Sequence, residues 1–313
     1  MEQSQTAVQE QPTSAPAQSV EPARVAPAEA SSGGTISPQA CSTCGAAPAA
    51  NAASPTLPLP PPCIYVIGHI EPRFPLLSIE KEARQAIARG GPSKETDREV
   101  MAKLLGEKSN KYLVRQLCWV LSVQGVETYI LVPRDGDYQP LIDAYRAEAN
   151  PGDLELVIGV RGPIAPPTMC NGLLVPIVIF DQIYAFDRDS LLKAIPKPKD
   201  ADAKFTKAAG EMLDRIIQQS DNAGATDADR ARNYLAVRYD RIYSLAAEQF
   251  NNNASLTSID VLPSPLSGTR KVVDVVFSFT DRATDVVSKF FTRVDVTECF
   301  PFLVTKMSPY YDR

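Results

Sequence analysis

The 313-residue chain contains a single histidine, and that scarcity excludes more chemistry than any other feature of it. A Ser-His-Asp or Cys-His nucleophile needs a basic imidazole, so any such triad has to use His69. A metal helix carrying two histidines is impossible. His69 follows an apolar run and precedes a proline-containing segment, which reads as an ordinary strand-end residue. A glycine-rich phosphate loop is missing too: Gly159-Val-Arg-Gly162 lacks the spacing and runs into prolines rather than a helix. Basic charge is not in excess, with 32 Lys+Arg against 37 Asp+Glu and a net charge of −5. Nothing is left over to neutralise a phosphate backbone, so no nucleic-acid partner is expected. The longest apolar run, Gly172 to Phe180, is about half a membrane span and contains Pro176, so no membrane role is expected.

Residues 1–62 lack any aromatic side chain and hold 14 Ala and 11 Pro. Such a composition cannot bury enough apolar surface to offset chain entropy, and proline blocks helix propagation. The expectation is a disordered arm over 1–62 and one folded domain over 63–313. The N-terminus shows neither the cationic nor the apolar region of a secretion leader, which points to the cytoplasm. In that compartment six cysteines do not read as a disulfide framework.

The body reads as α+β, a mixed sheet with helices and a C-terminal antiparallel meander. Cys63-Ile-Tyr-Val-Ile-Gly68 is a β-branched run that starts the first strand. Helices are expected from Ser78 to Ala88, from Asp97 to Gly106 and from Asn110 to Val123. The last of these is apolar nearly all round and hence buried on most faces. Strands follow at Glu127–Val132 and Leu154–Val160, with a short helix over Pro140–Arg146 between them. A loop with Pro163, Pro166 and Pro167 then delivers Cys170, and Leu173–Ile179 forms a strand in which Pro176 calls for an edge or a bulge. Residues 202–250 are helical, with an apolar stripe of Phe205, Ala208, Ala209, Met212, Leu213, Ile216 and Ile217, Asp202 as a cap, and a capping-box start at Thr226. From Leu256 the period changes to two. Val273, Val275, Phe277 and Phe279 share one face, as do Phe290, Val294 and Val296, and Phe300–Lys306 adds a further strand.

Two local patterns carry chemistry. Asp181, Asp187 and Asp189 cluster closely enough for acid/base work, but the favoured reading has Asp187 or Asp189 as the cap of a helix at Ser190–Ile195. Asp274, Arg293 and Asp295 read as cross-strand ion pairs. Cys41-Ser-Thr-Cys44-Gly has the spacing of a zinc knuckle, which supplies two of four tetrahedral thiolate ligands. Cys170, beside Asn171-Gly172, is the most available partner for it, with Cys118 and Cys299 next.

Several segments together have a family likeness. They are Ile70-Glu-Pro-Arg-Phe-Pro75, Arg115-Gln-Leu-Cys-Trp-Val-Leu121, Val157-Ile-Gly-Val-Arg-Gly-Pro-Ile-Ala-Pro-Pro167 with Met169-Cys-Asn-Gly172, Ser264-Pro-Leu-Ser-Gly-Thr269, Phe300-Pro-Phe-Leu-Val-Thr-Lys306 and the terminal Ser308-Pro-Tyr-Tyr-Asp-Arg313. The pattern, over about residues 63–313, resembles the C-terminal domain of unknown function of PatG-type cyanobactin maturation proteases, also seen on the PatA type. The resemblance implies ribosomal-peptide maturation, where a subtilisin-like protease domain cleaves and macrocyclises a precursor. This chain has no room for that domain and no second histidine, so no protease residue carries over. What carries over is a zinc-associated accessory module able to form a homodimer. Its expected partners are a precursor peptide or the subtilisin-like maturation protease. Because Cys118 lies in one of these segments, the expected zinc ligands are Cys41, Cys44, Cys170 and Cys118. A small enzyme acting on modified peptides, with the carboxylate or thiol cluster, and a structural zinc-dependent dimerisation domain are the alternatives.

Overall fold

A computed structural model of the chain describes residues 62–311, apart from 90–93, 149, 151, 196–202 and 220. The expected disordered arm, the Cys41–Cys44 pair and the Asp202 cap lie outside the described residues.

The β-branched and aromatic runs of the first half become five strands: β1 (Cys63–Arg73), β2 (Cys118–Val123), β3 (Val126–Pro133), β4 (Asp153–Ile164) and β5 (Pro176–Asp187). They close into a barrel in the order β1-β2-β3-β5-β4. Every neighbouring pair is antiparallel except β3 with β5, and the short helix α4 of that half (Gln139–Ala144) sits between β3 and β4. This is the connectivity of a five-stranded Greek-key barrel of the OB type. Ile64, Val66, Trp119, Leu121, Tyr129, Leu131, Val157, Val178 and Phe180 fill its interior. The long β1–β2 connection holds α1 (Leu77–Arg89), α2 (Asp97–Gly106) and α3 (Lys111–Gln116), which extend the same core through Ala83, Leu105 and Leu113. Thr96 and Glu99 form a capping box that starts α2. Pro176 takes the first position of β5, where no ladder donor is needed, and the β4–β5 register slips beside it, between Arg161 and Ile164.

The expected helix over Asn110–Val123 is corrected. It ends at Gln116, Leu117 turns extended, and Cys118–Val123 is β2. An apolar run buried on all sides is the signature of a strand inside a barrel wall as much as of a buried helix, and pairing with β1 on one edge and β3 on the other decides between them. The Trp119 indole N–H still reaches back to the Val114 carbonyl, at 3.1 Å.

After a short helix α5 (Arg188–Ala194), the second half is helices followed by a meander. Helices α6 (Ala203–Ile217), α7 (Asp227–Arg238) and α8 (Arg241–Asn251) lead into β6 (Ala254–Pro263), β7 (Val272–Asp281), β8 (Val287–Asp295) and β9 (Phe302–Pro309), an antiparallel sheet in sequence order. The stripe of α6 and the alternating face of β7 and β8 meet in one core, as their periods require: Phe205, Met212 and Leu213 pack with Val275, Phe277, Phe279 and Val294.

Strand β1 joins the two halves. Ile64 and Val66 face the barrel interior, while Tyr65 and Ile67 belong to the second core. Backbone groups lock this junction. Tyr65 N–H donates to the Gly224 carbonyl at 2.9 Å, and Asn233 Nδ2 donates to the Tyr65 carbonyl at 2.8 Å. Asn233 and Asn222 exchange amide hydrogen bonds, and Tyr129 donates its hydroxyl to the Ala223 carbonyl. Gly224 has φ +68°, and a Cβ there would lie 2.5 Å from the Val66 Cβ and 2.6 Å from the Tyr65 oxygen. Replacing Gly224 by Ala is expected to lower stability by about 1–3 kcal/mol, the usual cost of overpacking, with the positive φ adding to it. Chemical denaturation of G224A beside wild type measures this, and an unchanged midpoint would show that the junction is slack.

Candidate functional site

The structure brings two of the expected zinc ligands together, in a form the sequence reading did not foresee. Cys118, at the start of β2, and Cys170, in the β4–β5 loop, are joined by a disulfide with their Cα atoms 5.5 Å apart. Cys63 and Cys299 are joined likewise, across 236 residues of chain. The reading of six cysteines as no disulfide framework is therefore corrected. Barrel closure and the docking of the meander on β1 align thiols that are far apart in sequence. As a disulfide, Cys118 and Cys170 have no thiolate to give, and in that state they do not fit a zinc ion. Among the described residues no group of three or more His, Cys, Asp or Glu is placed to hold a metal.

The carboxylates of the Asp181–Asp189 segment disperse. Asp181 forms an ion pair with Arg134, the residue after β3. Asp187 caps α5, accepting the Ser190 N–H at 2.8 Å. Asp189 is exposed, 3.7 Å from Arg188. His69 is exposed on β1.

The cross-strand pairs on the outer face of the meander are present, and deeper than expected. Arg293 Nε donates to Asp274 Oδ1 at 2.9 Å and to the Ser264 hydroxyl at 3.2 Å. Arg270 pairs with Asp295 and lies over the Phe302 ring, 5.3 Å from its centroid. Asp274 and Asp295 are 5 % and 2 % exposed. Burial pushes the Asp295 carboxyl up, but hydrogen bonds from Arg270 and Thr297 outweigh it and hold the group below the usual range. Around Arg270 the surface turns apolar. Leu262, Leu266, Phe300, Phe302 and Val304 are all large and exposed. A cavity of about 380 Å³ opens there, lined by Val261, Leu262, Pro263, Arg270, Lys271 and Asp227 among others. The neighbouring edge strand β9 is blunted. The N–H groups of Leu303 and Met307 donate to the Tyr234 and Tyr239 hydroxyls, which leaves little for an added strand to pair with.

One group escaped the sequence reading altogether. Glu155 of β4 is 4 % exposed, and its carboxylate accepts the Ile70 N–H at 3.1 Å. Burial is the main reason its carboxyl is pushed up to about 7. Asp153 adds to the rise, while the Ile70 hydrogen bond, Arg146 and Arg98 oppose it. The only sequence signal was a carboxylate interrupting the apolar run Leu154-Glu-Leu-Val-Ile158.

A barrel whose strand β1 serves two cores, a helical layer and a four-stranded meander define this as an α+β domain with a disulfide-pinned loop on its barrel and an arginine beside exposed apolar side chains on its sheet. Residues 199–310 match the family model described as "PatG C-terminal". A solved structure, "PatG Domain of Unknown Function", superposes with a TM-score of 0.63 at 21% identity, covering 79% of this chain and 98% of that chain. The C-terminal part of the chain is thus similar to the PatG C-terminal family, and the described body has the fold of the PatG domain of unknown function. No curated protein matches the chain. Among the described residues, no helix is long and apolar enough to cross a membrane.

The raised Glu155 value sets a pH dependence. Its folded-state value of about 7 lies above its unfolded value of 4.5, so the folded state holds the extra proton between them. Stability is greatest below the unfolded value and falls as pH rises through 7. Replacing Glu155 by Gln keeps an acceptor for Ile70 and removes the titration. At roughly 1.4 kcal/mol per unit, wild type is expected to lose on the order of 3 kcal/mol between pH 4 and pH 8 relative to E155Q. Urea denaturation at both pH values reads this difference, and parallel pH profiles would contradict it.

Proposed function

We propose that this chain is a non-catalytic recognition module in the maturation of ribosomal, cyanobactin-like peptides, binding a precursor peptide or the maturation protease. The observation that carries the reading is the surface around Arg270. There the Arg270 guanidinium lies over the exposed Phe302 ring and lines, with Leu262, a cavity of about 380 Å³, while Leu266, Phe300 and Val304 are exposed on the same two hairpins. Leu266, Phe300, Phe302 and Val304 fall in the segments Ser264–Thr269 and Phe300–Lys306, two of those that carry the resemblance. Apolar anchors around an arginine are the composition of protein-recognition hot spots. With the β9 edge capped by Tyr234 and Tyr239, a peptide engages through side chains rather than as an added strand.

Fluorescence anisotropy with a labelled cyanobactin-type precursor peptide, together with capture of the subtilisin-like protease, tests the reading. Replacing both Phe302 and Val304 by Ser is expected to weaken binding by about tenfold or more. Failure of wild type to bind either partner, or equal binding by the double variant, overturns it.

The zinc reading applies to the reduced protein. There Cys118 and Cys170 supply two adjacent thiolates, and Cys41 with Cys44 supplies the further two that a tetrahedral site needs. Protein purified under reductant without chelator is expected to carry about one zinc per chain, and a C41S/C44S variant none. Equal metal content in the two proteins, or metal-free reduced wild type, contradicts it.

A further inference from the structure

The β4–β5 loop lies over the outer face of the barrel. Trp119, Leu131 and Val178 point into the interior, so Cys118, Ile130 and Ile177, their neighbours along the same strands, are on the outside. Ile130 and Ile177 are paired in the β3–β5 ladder. On this face Cys118, Ile130, Ala165 and Cys170 form a separate small core, with Met169, Leu173, Val175 and Ile177 packed against it. Ile130 is only 1 % exposed because the loop covers it. Barrels of this connectivity present ligands with the outer face of their second and third strands, flanked by the β4–β5 loop. Here that loop occupies the face itself.

Little holds it there. Among the described residues, every hydrogen bond of residues 166–174 stays within the loop: Met169 N–H to Pro166, Gly172 N–H to Met169 and Leu173 N–H to Cys170. The backbone at the tip is unfavourable, with Cys170 at φ 51° and Asn171 at φ 54° followed by Gly172 at φ 84°. Non-glycine residues adopt this region only where their surroundings compel it. Pro166, Pro167, Thr168, Asn171 and Leu174 are exposed on either side, so Cys170 is a buried plug in an otherwise solvated segment. Among the described residues, the one cross-link between this segment and the barrel, beyond its backbone ends in β4 and β5, is the Cys118–Cys170 disulfide.

We propose that residues 165–175 are a redox-latched strap: the Cys118–Cys170 disulfide pins them over the outer face of β2, β3 and β5, and its reduction, when no metal bridges the freed thiolates, releases them and uncovers that face. The step needs a dithiol reductant. One of its thiolates attacks a sulfur of the pair, forming a mixed disulfide and expelling the other cysteine as a thiolate. The second reductant thiol then displaces the first cysteine. Two protein thiols and one oxidised dithiol result, with both electrons and both protons coming from the reductant. Once the sulfurs part, only the loop's own hydrogen bonds and the small apolar cluster oppose the left-handed backbone at Cys170 and Asn171. The Cys63–Cys299 disulfide lies at the other junction, between β1 and the meander, and plays no part in the latch.

The test is limited chymotrypsin digestion of the full chain, with cleavage at Met169, Leu173 and Leu174 followed by mass spectrometry. Dithiothreitol is added or withheld, and EDTA is present throughout so that metal does not substitute for the disulfide. Reduction of wild type is expected to speed cleavage at these sites about tenfold, as local opening becomes populated, and to raise binding of an apolar fluorescent dye. A C118A/C170A variant is expected to be cleaved rapidly with or without reductant, and a C63A/C299A variant to keep the reductant response. The proposal is overturned if wild type with both cysteine pairs shown reduced by thiol alkylation is cleaved no faster. It is equally overturned if oxidised, purified wild type shows Cys118 and Cys170 as free thiols.

Discussion

Strand β1 is buried on both faces, and the rest of the molecule depends on that constraint. A strand in a barrel wall ordinarily shows one face to solvent or to a ligand. Here Ile64 and Val66 serve one core while Tyr65 and Ile67 serve another. The two cores therefore cannot slide past each other without emptying one of them. The close approach of Gly224 to Tyr65 and Val66 and the Asn222–Asn233 pair convert this shared burial into a defined geometry. Asn233 spends its donors on the Tyr65 carbonyl and on Asn222, so a polar group 1 % exposed is left with no unmet demand. The Cys63–Cys299 bridge lies at the start of the same strand and closes a loop of most of the chain. A cross-link of that span restricts the unfolded ensemble strongly, worth about 2–5 kcal/mol in comparable proteins.

Buried carboxylates receive two different treatments. Asp274 and Asp295 sit under arginines that also lie over aromatic rings, so each charge is matched by a guanidinium whose own flank is covered. Such charge-assisted pairs tie the strands of the meander and the loop before β7 together. Glu155 is buried as deeply but receives one backbone N–H, with Arg146 engaged by Asp153. A single neutral donor does not offset the loss of hydration, and the proton stays on into the neutral range. The same residue chemistry thus gives fixed structure on the meander and a titrating group at the barrel.

The connectivity of the barrel does not by itself select a ligand, because folds of this kind carry many unrelated functions. The distribution of side chains is more informative. The outer barrel face, a binding face elsewhere, is covered by a loop of the same chain, while Leu262, Leu266, Phe300, Phe302 and Val304 are exposed on the hairpins of the meander.

Much of the architecture was legible from local pattern. The period-two run Val273–Phe279 and the stripe Phe205–Ile216 each demanded an apolar cover, and they cover each other. The Thr226 cap and the role of Asp187 followed from side-chain chemistry within three residues. The Cys118–Val123 run was misread because a segment buried on every side carries no face, and periodicity is then silent. The closed barrel and the meeting of Cys118 with Cys170 had no local signal, and the deep burial of Glu155 had only a carboxylate interrupting an apolar run. By itself the sequence determined which segments are helical or extended over most of the body, which faces are apolar, and the family likeness. Only the tertiary structure decided which strands neighbour one another, which thiols pair and which carboxylates lose their water, because those depend on contacts between residues tens to hundreds of positions apart, and no short-range pattern encodes such distances.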